Sequence, residues 1–290
     1  VNIENFYKSN IFKEFILKTN DGVATQGIQD VYAIYHLMKA KYINKGDLIV
    51  NGNSGDFISG GHIPIELENY NNKKLAIKNI LDLHIKKHYS LWGTLFNNKN
   101  KDIINKLLIN QIEELQLKDK KNINHHGLLE FLEFQNRQCK YVVNLQRTYD
   151  FYELKWKLPL WDKNFISFWS TVPLNLKLKQ KLYKAVLKEI NFSGVWENKY
   201  EYQYKIPSLS IYLLRIIFKS FHIFSSKAKW HKFERRYISY WTDNLYGMNI
   251  TTYKEIIKNT HDARNSVSWL TLNSEKLNLG YHWQKIKKIR

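Results

Sequence analysis

Apolar residues recur at helical spacing along most of the chain, and one short interval breaks that rhythm. The pattern predicts helices over Asn5–Lys18 and Gly27–Lys41, the second placing Ile28, Val31, Ile34 or Tyr35, and Met38 on one face. Three more are predicted over Lys73–His88, Lys101–Leu115 and Leu128–Tyr152, with Ile104, Leu107, Leu108, Ile112 and Leu115 forming a stripe. In Leu128–Tyr152, Leu132, Cys139, Val142 and Tyr149 fall near one face, whereas Glu133, Arg137, Lys140, Asn144 and Arg147 recur at alternating four and three. Cys139 therefore reads as a core thiol, not a nucleophile. Pro159 ends this region, Asp162 is placed to cap a helix over Lys163–Val172, and Pro173 closes it. A further helix is predicted from about Leu176 to Ile190, with Lys177, Lys181, Lys184 and Lys188 on a shared face of the kind that is usually solvated.

The break is Asp47–His62, DLIVNGNSGDFISGGH. Leu48, Ile49 and Val50 are an apolar run too short for a helix, which predicts a strand, and the glycines after it let backbone approach a ligand closely. Open α/β sheets place ligands at such a strand-to-loop edge. Gly52, Gly55, Gly60 and Gly61 do not fit GxGxxG, and no Gly-Lys-Ser/Thr follows, so neither the dinucleotide nor the Walker phosphate pattern is present. Asp56 has the chemistry of a magnesium ligand, since Mg²⁺ takes one or two carboxylates and leaves the rest of its shell to phosphate and water. The competing reading makes Asp56 a cap and the glycines mere shapers of a turn.

Composition and local chemistry change the picture at five points. A formal charge of +19 raises anionic partners, yet only 7 of 45 basic residues are Arg, and the abundant Lys, Asn, Ile and Tyr share AT-rich codons. A site that grips phosphate bidentately favours Arg, so nucleic acid is not the expected partner. A single cysteine, Cys139, excludes a disulfide framework or thiolate metal cluster within one chain and suits a cytoplasmic location. The start, VNIENFYKSN, lacks a signal-peptide pattern and an initiator Met, so Val1 reads as a cut edge with sequence upstream. Ser208–Ser225 is the most apolar stretch, but Arg215, Lys219 and His222 interrupt it; it reads as a buried or interfacial amphipathic helix, not a membrane span. His84 and His88, four apart and followed by His125-His126, invite a zinc reading; the segment HIKKH carries lysines where a zinc hydrolase places its Glu, and surface histidines are the plainer expectation.

In this order the motifs resemble the synthetase domain of asparagine synthase-like proteins, of the type associated with surface-polysaccharide biosynthesis, over roughly Gly27 to Lys188. VNGNSGDFISGG is similar to the family's strand followed by S-G-E-G-S-D-E-x-x-G-G, which puts Asp56 on the aspartate that helps hold Mg²⁺ and pyrophosphate. Gly60 and Gly61 fall on its glycine pair, and Gly52, Ser54 and Gly55 belong to the same cofactor-binding loop. Asn53 occupies the position of the acid/base glutamate of the amination step; an amide cannot relay a proton, so asparagine as the product is in doubt. NLQRTYDFYELKWKLPLWD resembles the helix leading into V-E-x-R-x-P-F-L-D, with Pro159 and Asp162 matching, Lys157 replacing the Arg and Lys155 the Glu. KAVLKEI resembles the K-x-x-L-[RK] helix, which makes Lys184 the member of the lysine stripe that points inward to the phosphates.

The resemblance implies a PP-loop, adenine nucleotide alpha hydrolase-like fold. The expected architecture is mostly α with a remnant of a parallel α/β sheet. Residues 1–65 would form a partial nucleotide-binding-type region, 66–206 the helical part of the synthetase-like domain, and 207–290 a basic helical region. It further implies a parent ATP-dependent carbon–nitrogen ligase using ATP and Mg²⁺. Such an enzyme adenylates a carboxylate, aspartate or a sugar-linked acid, releases pyrophosphate and forms an amide with ammonia or an amine supplied by a separate glutaminase. The alternative is a non-catalytic basic module for RNA or a membrane surface, built on KWHKFERRY (Lys229–Tyr237) and KIKKIR (Lys285–Arg290). The family's S-G-G-x-D-S ATP loop and its glutaminase half have no counterpart in this sequence, so the chain by itself is expected to be inactive. Calorimetric titration with ATP and Mg²⁺ should show weak binding or none; affinity near that of an intact synthetase would refute this.

Overall fold

Leu48–Val50 (β1) is extended, as its apolar and largely β-branched sequence favours, and it finds a partner far along the chain. It pairs in parallel with Lys155–Lys157 (β2), Leu48 opposite Lys155, Ile49 opposite Trp156 and Val50 opposite Lys157. Lys155 N–H to the Asp47 carbonyl and Asn51 N–H to the Lys157 carbonyl extend the ladder at both ends. The computed structural model describes residues 5–6, 8–19, 25–70, 76–89, 96–115, 125–195, 209–242 and 252–259, and it is mostly helical with this one small sheet.

Among the described elements, the long central run is preceded by α1 (Asn10–Thr19), α2 (Thr25–Lys39), the single turn α3 (Gly55–Ile58) and α4 (Ile77–His88). There follow α5 (Asn98–Glu114), α6 (His125–Glu133), α7 (Arg147–Phe151), α8 (Lys163–Thr171), α9 (Leu174–Lys177) and α10 (Lys181–Ile190). The last described are α11 (Leu209–Phe221), α12 (Lys227–Tyr237), α13 (Ser239–Thr242) and α14 (Tyr253–Asn259). Apolar stripes of α4, α5 and α6 meet around Ile80, Leu108 and Leu132 in one core cluster. A second cluster joins Phe57 and Ile58 of α3 to Trp169 and Val172, and a third sets Ile34 and Tyr149 against Ile49 of β1. Arg147 donates to the Thr19 carbonyl (2.7 Å) and the Tyr152 hydroxyl to the Val31 carbonyl (2.8 Å), tying α1 and α2 to α7. The expected Asp162 cap forms, its Oδ1 accepting from Asn164 and Phe165 N–H.

Three expectations need correction. The stretch from His125 to Phe151 is helical throughout but not one α-helix, because a π-helix over Phe134–Val142 and a 3₁₀ turn over Val143–Gln146 interrupt it. The wider π turn rotates the inward face, so Gln138 is fully buried and Cys139 only half-buried. The helix expected over Leu176–Ile190 is broken by left-handed Lys179 (φ 57°) and Gln180 (φ 59°), which removes Lys177 from the lysine stripe and buries it. And α11, one of whose two expected placements was a buried helix, has no buried residue. No helix among the described residues is long and apolar enough to cross a membrane. KIKKIR and the polar spacers at 71–74 and 118–124 lie outside the described residues.

The break before α10 lets chain lie directly on the glycine loop. A Cβ at Gly60 (φ +92°) would stand 2.5 Å from the Lys177 carbonyl oxygen, whereas one at Gly52 would meet nothing within 4 Å. Gly60→Ala should therefore lower stability by about 2–3 kcal/mol in urea denaturation. Gly52→Ala should be near neutral, and equal effects at the two positions would contradict this packing.

Candidate functional site

The loop after β1 is shaped by its own side chains. Asn51 Oδ1 accepts the Asn53 N–H (2.9 Å), which turns the chain, and its Nδ2 donates to the Tyr149 hydroxyl (2.9 Å). Ser54 sits in the left-handed region at φ 72° and donates from Oγ to Gln138 Oε1 (2.7 Å), so its hydroxyl faces the π-helix. A Cβ on Gly55 would strike the Leu160 side chain at 2.6 Å, and one on Gly61 would crowd the Asp56 carbonyl and Gln180. Gln180 Nε2 also donates to Ser59 Oγ (2.7 Å). Protein thus packs against Gly55 and Gly60, and Gly52, Asp56 and Gly61 remain exposed.

Asp56 opens α3, and its side chain is 64% exposed. Its Oδ1 accepts the Phe57 N–H (2.8 Å), and Oδ2 pairs with His62 Nε2 (2.8 Å). The other ring nitrogen of His62 meets Glu133 Oε1. Two ionised carboxylates can only accept, so a ring that bonds both must carry both protons. Burial works against that charge, but the hydrogen bonds His62 donates to Asp56 and Glu133 outweigh it and hold its pKa above the ordinary value. The same His62 contact pulls Asp56 below the usual carboxylate range.

Glu133 is the interior anchor of this pair and is 4% exposed. Its Oε2 accepts from Lys87 Nζ (2.9 Å) and His88 Nε2 (3.0 Å), and Arg137 stands 3.7 Å from Oε1. Burial alone would raise its pKa, yet the hydrogen bonds from His62 and His88 carry it well below the ordinary value. Lys87 also donates to the His62 carbonyl (2.6 Å), so α4 grips both ends of the ion pair. Below these groups lies a void of about 10 Å³, lined in part by His62, His84, Lys87, His88 and Glu133, with room for about one water. His84 Nε2 is buried without a hydrogen-bond partner, and burial, then the neighbouring His88, push its pKa down to about 3. Beside Gly60, the buried Lys177 Nζ binds both oxygens of Glu130 at 2.9 Å.

Of the expected site residues, Gly52, Asn53, Ser54, Gly55, Asp56, Gly60 and Gly61 share the one loop. Lys184 is exposed and donates to the Lys179 carbonyl (2.9 Å); the lysine that turns inward beside the loop is Lys177. His84 and His88 are not surface histidines, and His88 does have a carboxylate partner, Glu133. Among the described residues, no group of three or more His, Cys, Asp or Glu is arranged to hold a metal ion. His62, Lys87 and Glu133 escape sequence reasoning, because a Glu within a polar helical face has no local mark of burial. No protein-family model matches the chain, and no curated protein or solved structure does either.

The charges fix a pH dependence. Between about pH 6.5 and 3 unfolded His84 binds a proton that the folded state refuses, so stability falls with pH by about 1.4 kcal/mol per unit for that proton. Glu133 adds to this loss once pH drops below its ordinary 4.5, its stabilisation persisting above that value. His62, raised, stabilises below its ordinary 6.5 and loses that contribution as pH rises through its folded value. Urea denaturation across pH should therefore show an acid limb that His84→Leu flattens by about one proton. Glu133→Gln should cost about 3–5 kcal/mol near neutrality by stranding buried cations. An acid limb unchanged in His84→Leu would refute the first assignment.

Proposed function

We propose that the chain is the carboxyl part of an asparagine synthase-like, ATP-dependent carbon–nitrogen ligase. The observation that carries this is convergence: two of the three sequence blocks, about a hundred residues apart, and the chain leading into the third meet around one loop. The first block supplies β1 and the glycine loop; the second supplies β2 against β1 and Leu160 against Gly55. The chain leading into the third lays the Lys177 carbonyl on Gly60 and Gln180 on Gly61 and Ser59. A loop at the carboxyl end of a parallel strand is where α/β folds bind their ligands.

Asp56 fits a magnesium ion on its chemistry: it is a largely exposed carboxylate whose pKa is held low, and one such ligand suffices when phosphate supplies the rest of the shell. When bound, the ion would shield the charge of the departing pyrophosphate. His62 orients Asp56 from one side, and the Ser54–Gln138 hydrogen bond fixes the loop from the other. Lys184, exposed on its long stem, can exchange the Lys179 carbonyl for a phosphate oxygen. Asn53 offers no proton to relay, so the amide formed is other than asparagine, or its proton moves through the incoming amine itself. The carboxylate is aspartate or a sugar-linked acid, the nitrogen comes from ammonia or an amine by way of a separate glutaminase, and surface-polysaccharide synthesis in the cytoplasm is the setting.

Calorimetric titration with magnesium pyrophosphate tests this on the chain itself. Binding is expected, weakened at least about tenfold by Asp56→Ala and by Lys184→Ala and unchanged by Asn53→Glu. In a protein that carries the ATP loop, each of the two alanine variants should slow pyrophosphate release about a hundredfold, near 3 kcal/mol of lost transition-state stabilisation. Absence of binding, or indifference to Asp56→Ala, would overturn the reading.

A further inference from the structure

Far along the sequence from the glycine loop, α11 and α12 form a hairpin whose two sides differ in chemistry. Three residues at helical spacing fasten α11 to α12. Arg215 Nε binds Glu234 (2.5 Å), and the rings of Phe218 and His222 pack on Phe233 and Trp230. The opposite face of α11 carries Leu209, Leu213, Ile216, Ile217 and Phe221 at i, i+4, i+7, i+8 and i+12, all exposed. The turn adds Ile223 and Phe224, the latter fully exposed at 101%. A water-facing helix normally puts its polar residues outward, so this face is inverted relative to a solvated one.

The charges around that face select its occupant. Lys219, Lys227, Lys229, Lys232 and Arg235 are exposed in the same hairpin. Its one acidic residue among positions 209–242, Glu234, is already engaged by Arg215. We propose that this hairpin is a peripheral anchor that lays the apolar face of α11 into the surface of an anionic lipid bilayer while the lysines meet the headgroup phosphates. The proposal is independent of the ligase reading. A 13-residue helix is about 20 Å long, short of the roughly 30 Å hydrocarbon core, so it lies in the interface and does not span it. A second copy would bring like-charged hairpins together at close range. RNA asks for exposed aromatic platforms, and here the outward side chains are chiefly aliphatic while Trp230 is buried.

Flotation of the whole chain with phosphatidylcholine vesicles, with and without phosphatidylglycerol, tests this. Binding is expected only with the anionic lipid and should weaken as salt rises. Lys227→Gln with Lys229→Gln should lower it about fivefold for each cation removed. Leu213→Ser with Ile217→Ser should lower it about tenfold or more with an unchanged circular dichroism spectrum, since both residues are exposed in solution. The proposal is overturned if the unaltered chain ignores anionic vesicles or if the serine variants bind as well as it does. It is likewise overturned if light scattering shows a dimer that those variants dissociate while vesicle binding persists, or if an RNA oligonucleotide binds and vesicles do not.

Discussion

A carboxylate withdrawn from water must be surrounded by donors or give up its charge, and Glu133 is surrounded. His62 reaches it from the end of the glycine loop, Lys87 and His88 from the last turn of α4, and Arg137 from the π-helix one turn beyond it. Apart from the Lys87 hydrogen bond to the His62 carbonyl, what these groups share is that carboxylate. One buried negative charge therefore holds together a loop, a helix and a helical irregularity that are far apart in sequence. The hold is passed outward as well, since the ring that Glu133 fixes is the ring that fixes Asp56.

The second constraint is steric. At Gly60 the Lys177 backbone comes so close that no side chain fits, at Gly61 the tightest approach is the loop's own Asp56 carbonyl, and the left-handed pair Lys179 and Gln180 gives the Lys177–Gln180 segment the bend to lie there. The glycine pair is accordingly accounted for by protein packing alone, whatever else the loop binds. What faces water in the first half of the loop is Gly52, which has open space, and the ionised carboxylate of Asp56, with the buried Ser54 and the covered Gly55 between them.

Much of this architecture can be read along the chain. The short strand, the Asp162 cap and the buried stripe of Ile104, Leu108 and Ile112 follow from local spacing, and each is present. Leu107, assigned to the same stripe, is largely exposed because the face is narrower than the sequence pattern allows. What escapes is non-local. The π-helix that buries Gln138 in place of Cys139, and the kink that turns Lys177 inward, arise where tertiary contacts override helical period. The strand partner is equally hidden, because Lys155–Lys157 has two charges in three residues and becomes a strand only by pairing with β1. Glu133, His62 and Lys87 are individually ordinary and acquire meaning only on meeting.

The parallel pairing of β1 with β2 also sets an order of events during biogenesis. About a hundred residues must be synthesised after β1 before its partner exists, and parallel strands cannot be joined by a tight turn. Until Lys157 has emerged, Leu48–Val50 presents an unpaired apolar edge of the kind that seeds association between nascent chains. The intervening helices can collapse on their own apolar faces, but the glycine loop takes its shape only when this long closure completes. The glycine loop thus takes its shape only after β2 has emerged, and a ribosome that pauses short of β2 exposes a sticky edge in place of a binding loop.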